Sequence, residues 1–148
     1  MRLTVQDVSG DGDVPDPAEI DRWVRAALGA ADDRELNIRI VNEPEMAELN
    51  SRYRHKEGPT NVLSFPFESP PGVNSAILGD IVICAPVVRR EAGEQGKALA
   101  AHWAHMVVHG IMHLRGYAHE NEADAERMEA AETEILTGLG FPAPYARG

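Results

Sequence analysis

Apolar and polar side chains alternate along "RLTVQDVS", Arg2 to Ser9, and again along "ELNIRIVN", where Leu36, Ile38 and Ile40 fall on one side of the pleat. A period of two predicts half-buried strands, and both belong in one sheet. Between them, "DPAEIDRWVRAALG" changes to a helical period, with Asp16 as N-cap, Pro17 at the first helical position, Glu19 placed for a capping box and Gly29 as the stop. "NEPEMAELNSRYR" predicts a second helix capped by Asn42, which brings Arg52 and Arg54 to its C-terminal end. "TNVLSFPF" and "LGDIVICA" supply two more strands around the Pro- and Gly-rich turn "ESPPGVNSA", and Pro66 marks a sheet edge or a strand end. A short helix from Pro86 to about Gln95 precedes the long helical stretch "KALAAHWAHMVVHGIMHLRG", and an acidic helix closes the chain. Trp23 and Trp103 follow helical apolar faces and belong to the core. The pattern predicts an α+β fold, a small mixed four-stranded sheet packed by helices. Without repeats or a linker, residues 1–148 read as a single domain.

Composition narrows the function classes. A chain of 148 residues buries a core large enough to fold without staples, and its one cysteine, Cys84, lies in an apolar run and reads as core. No cationic leader precedes an apolar stretch, and no apolar run approaches the ~20 residues of a membrane span. A soluble, cytoplasmic protein with no membrane partner is expected. The formal net charge of -10 argues against whole-surface attraction to nucleic acid and leaves room only for a local basic groove. Acid is concentrated in Glu120, Glu122, Asp124, Glu126, Glu129, Glu132 and Glu134 against Arg127, which reads as a solvated helix face. Cations cluster in "SRYRHK", where Arg52, Arg54 and Lys56 stand beside Tyr53 and His55, and again at Arg89, Arg90 and Lys97.

Chemistry concentrates in "HGIMHLRGYAH", His109 to His119. At roughly 100° of rotation and 1.5 Å of rise per residue, His109 and His113 point within about 40° of each other, one turn apart. Two imidazoles so placed can grip one metal ion. His119 would face the far side of a continued helix, about 240° round from His113, so it joins them only if the chain turns back. Gly116 sits where that turn is needed, because glycine enters left-handed backbone conformations without a steric penalty. Three neutral imidazoles suit Zn²⁺ and leave a fourth position open for water, as in catalytic rather than structural zinc sites. Nickel, copper or iron would accept the same ligands. His102 and His105 lie on much the same helical face and are candidates for packing or for orienting ligands through their other ring nitrogens.

The spacing is similar to the metzincin motif H-E-x-x-H-x-x-G-x-x-H, a zincin-like three-histidine site on a long helix and the turn after it, but with Gly110 in place of the glutamate general base. Ordinary peptide hydrolysis is therefore disfavoured. The glycine form resembles the YbeY family of bacterial metal-dependent endoribonucleases, which act in ribosomal RNA maturation and ribosome quality control. "LNSRYRHKEGPTNVLSFPFE", "LGDIVICAPVV" and "EQGKALAAHWAHMVVHG" resemble further segments of that family, in order, over about Leu49 to Gly140. The resemblance implies a single-strand-specific endoribonuclease that processes the 3′ end of small-subunit ribosomal RNA. It also implies one Zn²⁺ on His109, His113 and His119. Arg52 matches the functional arginine of the upstream motif, and a guanidinium suits bidentate contact with phosphate. Arg54 and Lys56 are then available to flanking phosphates, and Tyr53 or His55 to unpaired bases. Implied partners are single-stranded ribosomal RNA, the small ribosomal subunit, one of its proteins and a ribosome-associated GTPase. One departure is visible: Ala118 stands where the family commonly has aspartate, and Glu120 or Asp80 are the carboxylates available to substitute.

A lowered pKa of metal-bound water reduces the need for a separate carboxylate base, which makes Gly110 compatible with phosphodiester cleavage. Asn61, Ser64 and Asp80 lie in the resemblance-carrying segments but read equally well as a turn cap, a strand-end hydroxyl and a strand start. Two alternatives share the ligands: a metal-dependent hydrolase of a peptide or nucleotide, and a ribosome assembly factor whose metal is mainly structural.

Overall fold

A computed structural model describes residues 2–29, 32–68, 70–73, 76–117 and 120–145. The elements run β1 (Arg2–Asp7), α1 (Pro17–Leu28), β2 (Glu35–Val41), α2 (Glu43–Arg54), β3 (Val62–Pro66), β4 (Ile77–Cys84), α3 (Ala85–Glu94), α4 (Leu99–Leu114) and α5 (Glu122–Gly138). The four strands form one mixed sheet in the order β1-β2-β4-β3, with β1, β2 and β4 parallel and β3 antiparallel to β4. This is the predicted α+β architecture. No described helix is long and apolar enough to cross a membrane.

Register sorts the strand residues onto two faces. Val5, Ile38, Ile81 and Ser64 form one row across the sheet, and the neighbouring row is Thr4, Asn37, Asp80 and Phe65. Successive side chains of a strand point to opposite faces. The first row belongs to the larger core, where Ile38, Ile81 and Ile83 pack with Trp23 of α1, Val107 and Ile111 of α4 and Met128 of α5. On the other face a smaller cluster joins Leu63 and Val82 to Met46 of α2 and Val87 of α3. Trp23 and Trp103 are fully buried, as their helical periodicity predicts, and Trp23 meets Phe141 edge-on at 6.0 Å.

Helix ends follow the local chemistry, with one correction. Asn42 accepts a hydrogen bond from the Glu45 amide and caps α2. The capping box expected around Asp16 does not form: Asp16 makes no side-chain cap, and its backbone carbonyl alone takes the Glu19 and Ile20 amides. The Glu19 amide, the donor that a capping box would use, is taken by that backbone carbonyl instead. Helix α2 ends on His55 in the left-handed region, φ 56°, the one described non-glycine residue there.

Two glycines set the position of α4. Gly79 in β4 has φ 153°, and a Cβ there would lie 2.5 Å from the Phe65 carbonyl oxygen and 2.9 Å from a Leu114 methyl. Gly110, in mid-helix, rests against the sheet: an added Cβ would sit 3.1 Å from two carbons of Ile81 and 3.2 Å from Ser64 Oγ. Ile81 is fully buried and has little room to retreat, while the Ser64 hydroxyl donates to the Gly110 carbonyl at 3.1 Å. The helix therefore lies closer to β3 and β4 than a side chain at 110 fits without a shift of its neighbours.

That contact predicts a stability cost for any side chain at 110. Gly110→Ala gains up to about 1 kcal/mol of helix propensity, against an overpacking cost of about 1–3 kcal/mol. A Tm lower by a few degrees is expected in thermal unfolding, and Gly110→Glu, which also buries a carboxylate, is expected to lose far more. A Gly110→Ala protein melting at or above the parent temperature would contradict the close-approach argument.

Candidate metal centre

Helix α4 presents four histidines along one side, His102, His105, His109 and His113. The stop that follows is a Schellman arrangement, in which the Gly116 amide bonds the His113 carbonyl and the Tyr117 amide bonds the Met112 carbonyl. Gly116 has φ 97°, the left-handed turn its position predicts. His119 and Ala118 lie outside the described residues. The two described members of the expected trio do converge: Nε2 of His113 lies 3.1 Å from Nε2 of His109, with the ring centroids 4.6 Å apart. Two nitrogens bound tetrahedrally at 2.0–2.1 Å would be about 3.3–3.4 Å apart, so a ligand pair needs only a small adjustment.

A second donor set lies behind the first and shares His109. His105, His109 and Glu132 form a group able to hold a metal ion, with one donor atom from each lying within 4.8 Å of the others. Glu132 comes from α5 and is fully buried. Its Oε2 lies 2.5 Å from His105 Nε2 and accepts the Tyr145 hydroxyl at 2.9 Å, while Oε1 lies 3.0 Å from His109 Nδ1. Burial pushes this carboxyl upward, but the hydrogen bonds and charges of His105 and His109 outweigh it and bring the pKa down to about 2. The Tyr145 hydroxyl is pushed up, by burial first and then by the Glu132 charge.

His109 and His113 open into a cleft of about 470 Å³ bordered by Arg54 and Lys56 from the α2 end, Asn61 and Ser64. Arg54 donates to the Ser64 carbonyl at 3.2 Å. Asn61 is held by Glu91 of α3, at 3.1 Å to Oε1, and receives the Val62 amide at 2.7 Å, so it serves as a local turn clamp. Glu91 also meets Nε2 of buried His102 at 3.0 Å; burial lowers the pKa of that imidazole against the opposing pull of Glu91.

The cationic segment divides around the cleft. Arg54 and Lys56 line it, whereas Arg52 is exposed on α2 and pairs with Glu48 at 2.9 Å. Tyr53 packs edge-on against Phe65 at 5.3 Å and borders a different concavity, about 570 Å³ on the opposite sheet face, with no histidine among its described lining residues. His55 is exposed at the helix end. Asp80 faces that opposite concavity and accepts from Asn37 at 3.0 Å, so it does not border the His109 and His113 cleft.

A family profile described as "Endoribonuclease YbeY" matches residues 10–140. The chain belongs to the YbeY endoribonuclease family. It is 59% identical over 143 residues to "Endoribonuclease YbeY" of Methylococcus capsulatus, covering 97% of this chain and 94% of that protein. It is 53% identical over 135 residues to the protein of the same name from Alteromonas mediterranea, covering 90% and 85%. The fold is similar to the solution structure of TM1509 from Thermotoga maritima, with a TM-score of 0.59, 22% identity, and 97% and 100% of the two chains covered.

In this YbeY-family chain the residue that sequence reasoning missed is Glu132. The acidic run was expected to be a solvated face, and that expectation fails here. Met128, Glu132 and Leu136 are the buried residues of α5, spaced at i, i+4 and i+8. A glutamate in register with an apolar stripe was the available signal. Its lowered pKa carries a sign. A carboxylate whose folded-state value lies below the ordinary 4.5 contributes stability that is complete above that value and is lost as pH falls toward about 2. Denaturant midpoints of the chelator-treated protein should therefore fall more steeply below about pH 4.5 for the parent than for Glu132→Gln. Parallel curves would mean that the carboxylate carries no such linkage.

Proposed function

We propose that this chain is a single-strand-specific, metal-dependent endoribonuclease of one domain, residues 1–148, acting in the cytoplasm on small-subunit ribosomal RNA. Its reaction would be processing of the 3′ end and removal of defective ribosomal RNA, with the small subunit, one of its proteins and a ribosome-associated GTPase as partners. The observation that carries the reading is the convergence of His109 and His113 Nε2 in a cleft bordered by Arg54 and Lys56, in a chain whose relatives are named endoribonucleases. His109, His113 and His119 would hold Zn²⁺ or another divalent transition metal. The donor chemistry fits: neutral imidazoles, one of them backed by a carboxylate at its second nitrogen, are a common setting for such an ion. When bound, the metal supplies Lewis acidity that activates an oxygen nucleophile and offsets charge at phosphorus.

The protein side chains do the rest. Arg54 spends one donor on the Ser64 carbonyl and has others left for phosphate oxygens. Lys56 adds a mobile point charge at the same rim. We assign the charge of the scissile phosphate to Arg54, since Arg52, which the resemblance favours, is occupied by Glu48 outside the set that lines the cleft. Arg52 then meets a flanking phosphate, and Tyr53 and His55 are exposed to bases of a strand crossing the sheet edge. An added Cβ at Gly110 would already crowd Ile81 and Ser64, which argues against a glutamate base there and so against the peptidase alternative. The buried His105, His109 and Glu132 set favours a second reading, an assembly factor with a structural metal.

One experiment separates these. Unstructured RNA and a matched duplex are incubated with the parent, Arg52→Ala, Arg54→Ala and His113→Ala, with chelator and after zinc is restored. Cleavage of the single strand alone, abolished by chelator and by His113→Ala, is expected. Arg54→Ala should lose on the order of 10² to 10³ in rate, the scale of a lost oxyanion donor, and Arg52→Ala about tenfold or less. A larger loss at Arg52 than at Arg54 would return the transition-state role to Arg52. If the folded His113→Ala protein still supports ribosome maturation, the structural-metal reading prevails.

A further inference from the structure

We infer that Glu132 is the positioning residue of the metal centre: it fixes the tautomer of His109 and is itself held by His105 and by Tyr145 from the C-terminal segment. This inference rests on the reading that the metal lies on the His113 side of His109.

The carboxylate makes three contacts and, when ionised, can only accept. His109 Nδ1, 3.0 Å from Oε1, must then carry the proton. The imidazole is left with its lone pair on Nε2, the nitrogen that faces His113 Nε2 at 3.1 Å. Buried Glu132 thus decides which nitrogen of His109 keeps its lone pair, and aims that nitrogen at the cleft. His105 Nε2 donates to Oε2 by the same logic, and the Tyr145 hydroxyl donates to that oxygen at 2.9 Å. The tyrosine is seated by the chain around it. Its ring meets His105 edge-on at 5.3 Å, and Lys97 Nζ donates to the preceding Pro144 carbonyl at 3.2 Å.

Packing argues for orientation rather than ligation by Glu132. Glu132 Oε2 is already 2.5 Å from His105, and both of those side chains are buried, so Oε2 is engaged and turned away from solvent. The His109 and His113 side opens into the cleft instead. Carboxylates that hold the far nitrogen of a ligand histidine typically alter metal affinity by about 10- to 100-fold.

The test uses the full chain freed of metal and titrated with Zn²⁺ against a chromophoric chelator, and with Co²⁺ for its visible spectrum. Glu132→Gln should weaken zinc binding by about 10- to 100-fold while keeping the parent Co²⁺ spectrum, and Tyr145→Phe should weaken it less, in the same direction. Unchanged affinity in Glu132→Gln overturns the inference. A Co²⁺ spectrum altered as by loss of an oxygen ligand also overturns it, and makes Glu132 a ligand. His113→Ala in the same titration tests the underlying reading separately, since retention of tight binding there removes the cleft-side site whatever Glu132 does. Should the glutamine variant not fold, ring ¹⁵N spectra of the metal-free parent decide. They should show His109 protonated at Nδ1, and protonation at Nε2 instead sinks the proposal.

Discussion

The van der Waals contact between the backbone of α4 at Gly110 and the side chains of Ile81 and Ser64 is the constraint from which the rest of the site follows. Because the helix touches the sheet without an intervening side chain, His109 and His113, on either side of that glycine in sequence, are held at the border of β3 rather than lifted away from it. The Ser64 hydroxyl, in the same row as Ile81, ties the two elements with a hydrogen bond to the Gly110 carbonyl. Gly79 performs the matching function in β4, where the strand passes the Phe65 carbonyl and Leu114 with no space for a Cβ. A protease-type glutamate at 110 would crowd a buried isoleucine from its first carbon onward, so packing disfavours it before any electrostatic argument begins.

Much of this architecture could be read from the chain. Strict alternation in β2, the caps at Asn42 and Gly29, and the left-handed turn at Gly116 are short-range matters, settled by two to four residues at a time, and the structure agrees with them. Convergence of His109 and His113 follows from helical geometry alone. The Asp16 capping box and the role of Glu132 were illegible for different reasons. In α1 the Asp16 backbone carbonyl takes the Glu19 amide that the box would have used. The fate of Glu132 depends on α5 packing against a histidine 27 positions earlier, which no local pattern encodes, although its register with Met128 and Leu136 pointed inward. The split of the Arg52 to Lys56 segment between cleft and exterior likewise depends on where α2 ends against β3.

Charge distribution reconciles an acidic protein with a polyanionic substrate class. The net charge of -10 is not spread evenly. Arg54 and Lys56 stand at the cleft, and many remaining cations are neutralised nearby, Arg39 by Glu45, Arg90 by Glu43 and Arg52 by Glu48. Paired guanidinium groups at an exposed surface add little attraction at a distance. The cationic charge described at the cleft is therefore local rather than spread over the surface.

The register of β3 has a consequence for solubility. Its odd-numbered residues turn their backbone groups toward β4, as the Asn61 carbonyl and the Phe67 amide do, so the Ser64 carbonyl points away from the sheet along an outermost strand. Outward carbonyls of that kind invite a foreign strand to add on. Arg54 occupies this one. The guanidinium that borders the cleft thus also covers an outward carbonyl of the edge strand, so one side chain serves both the cleft rim and the sheet edge.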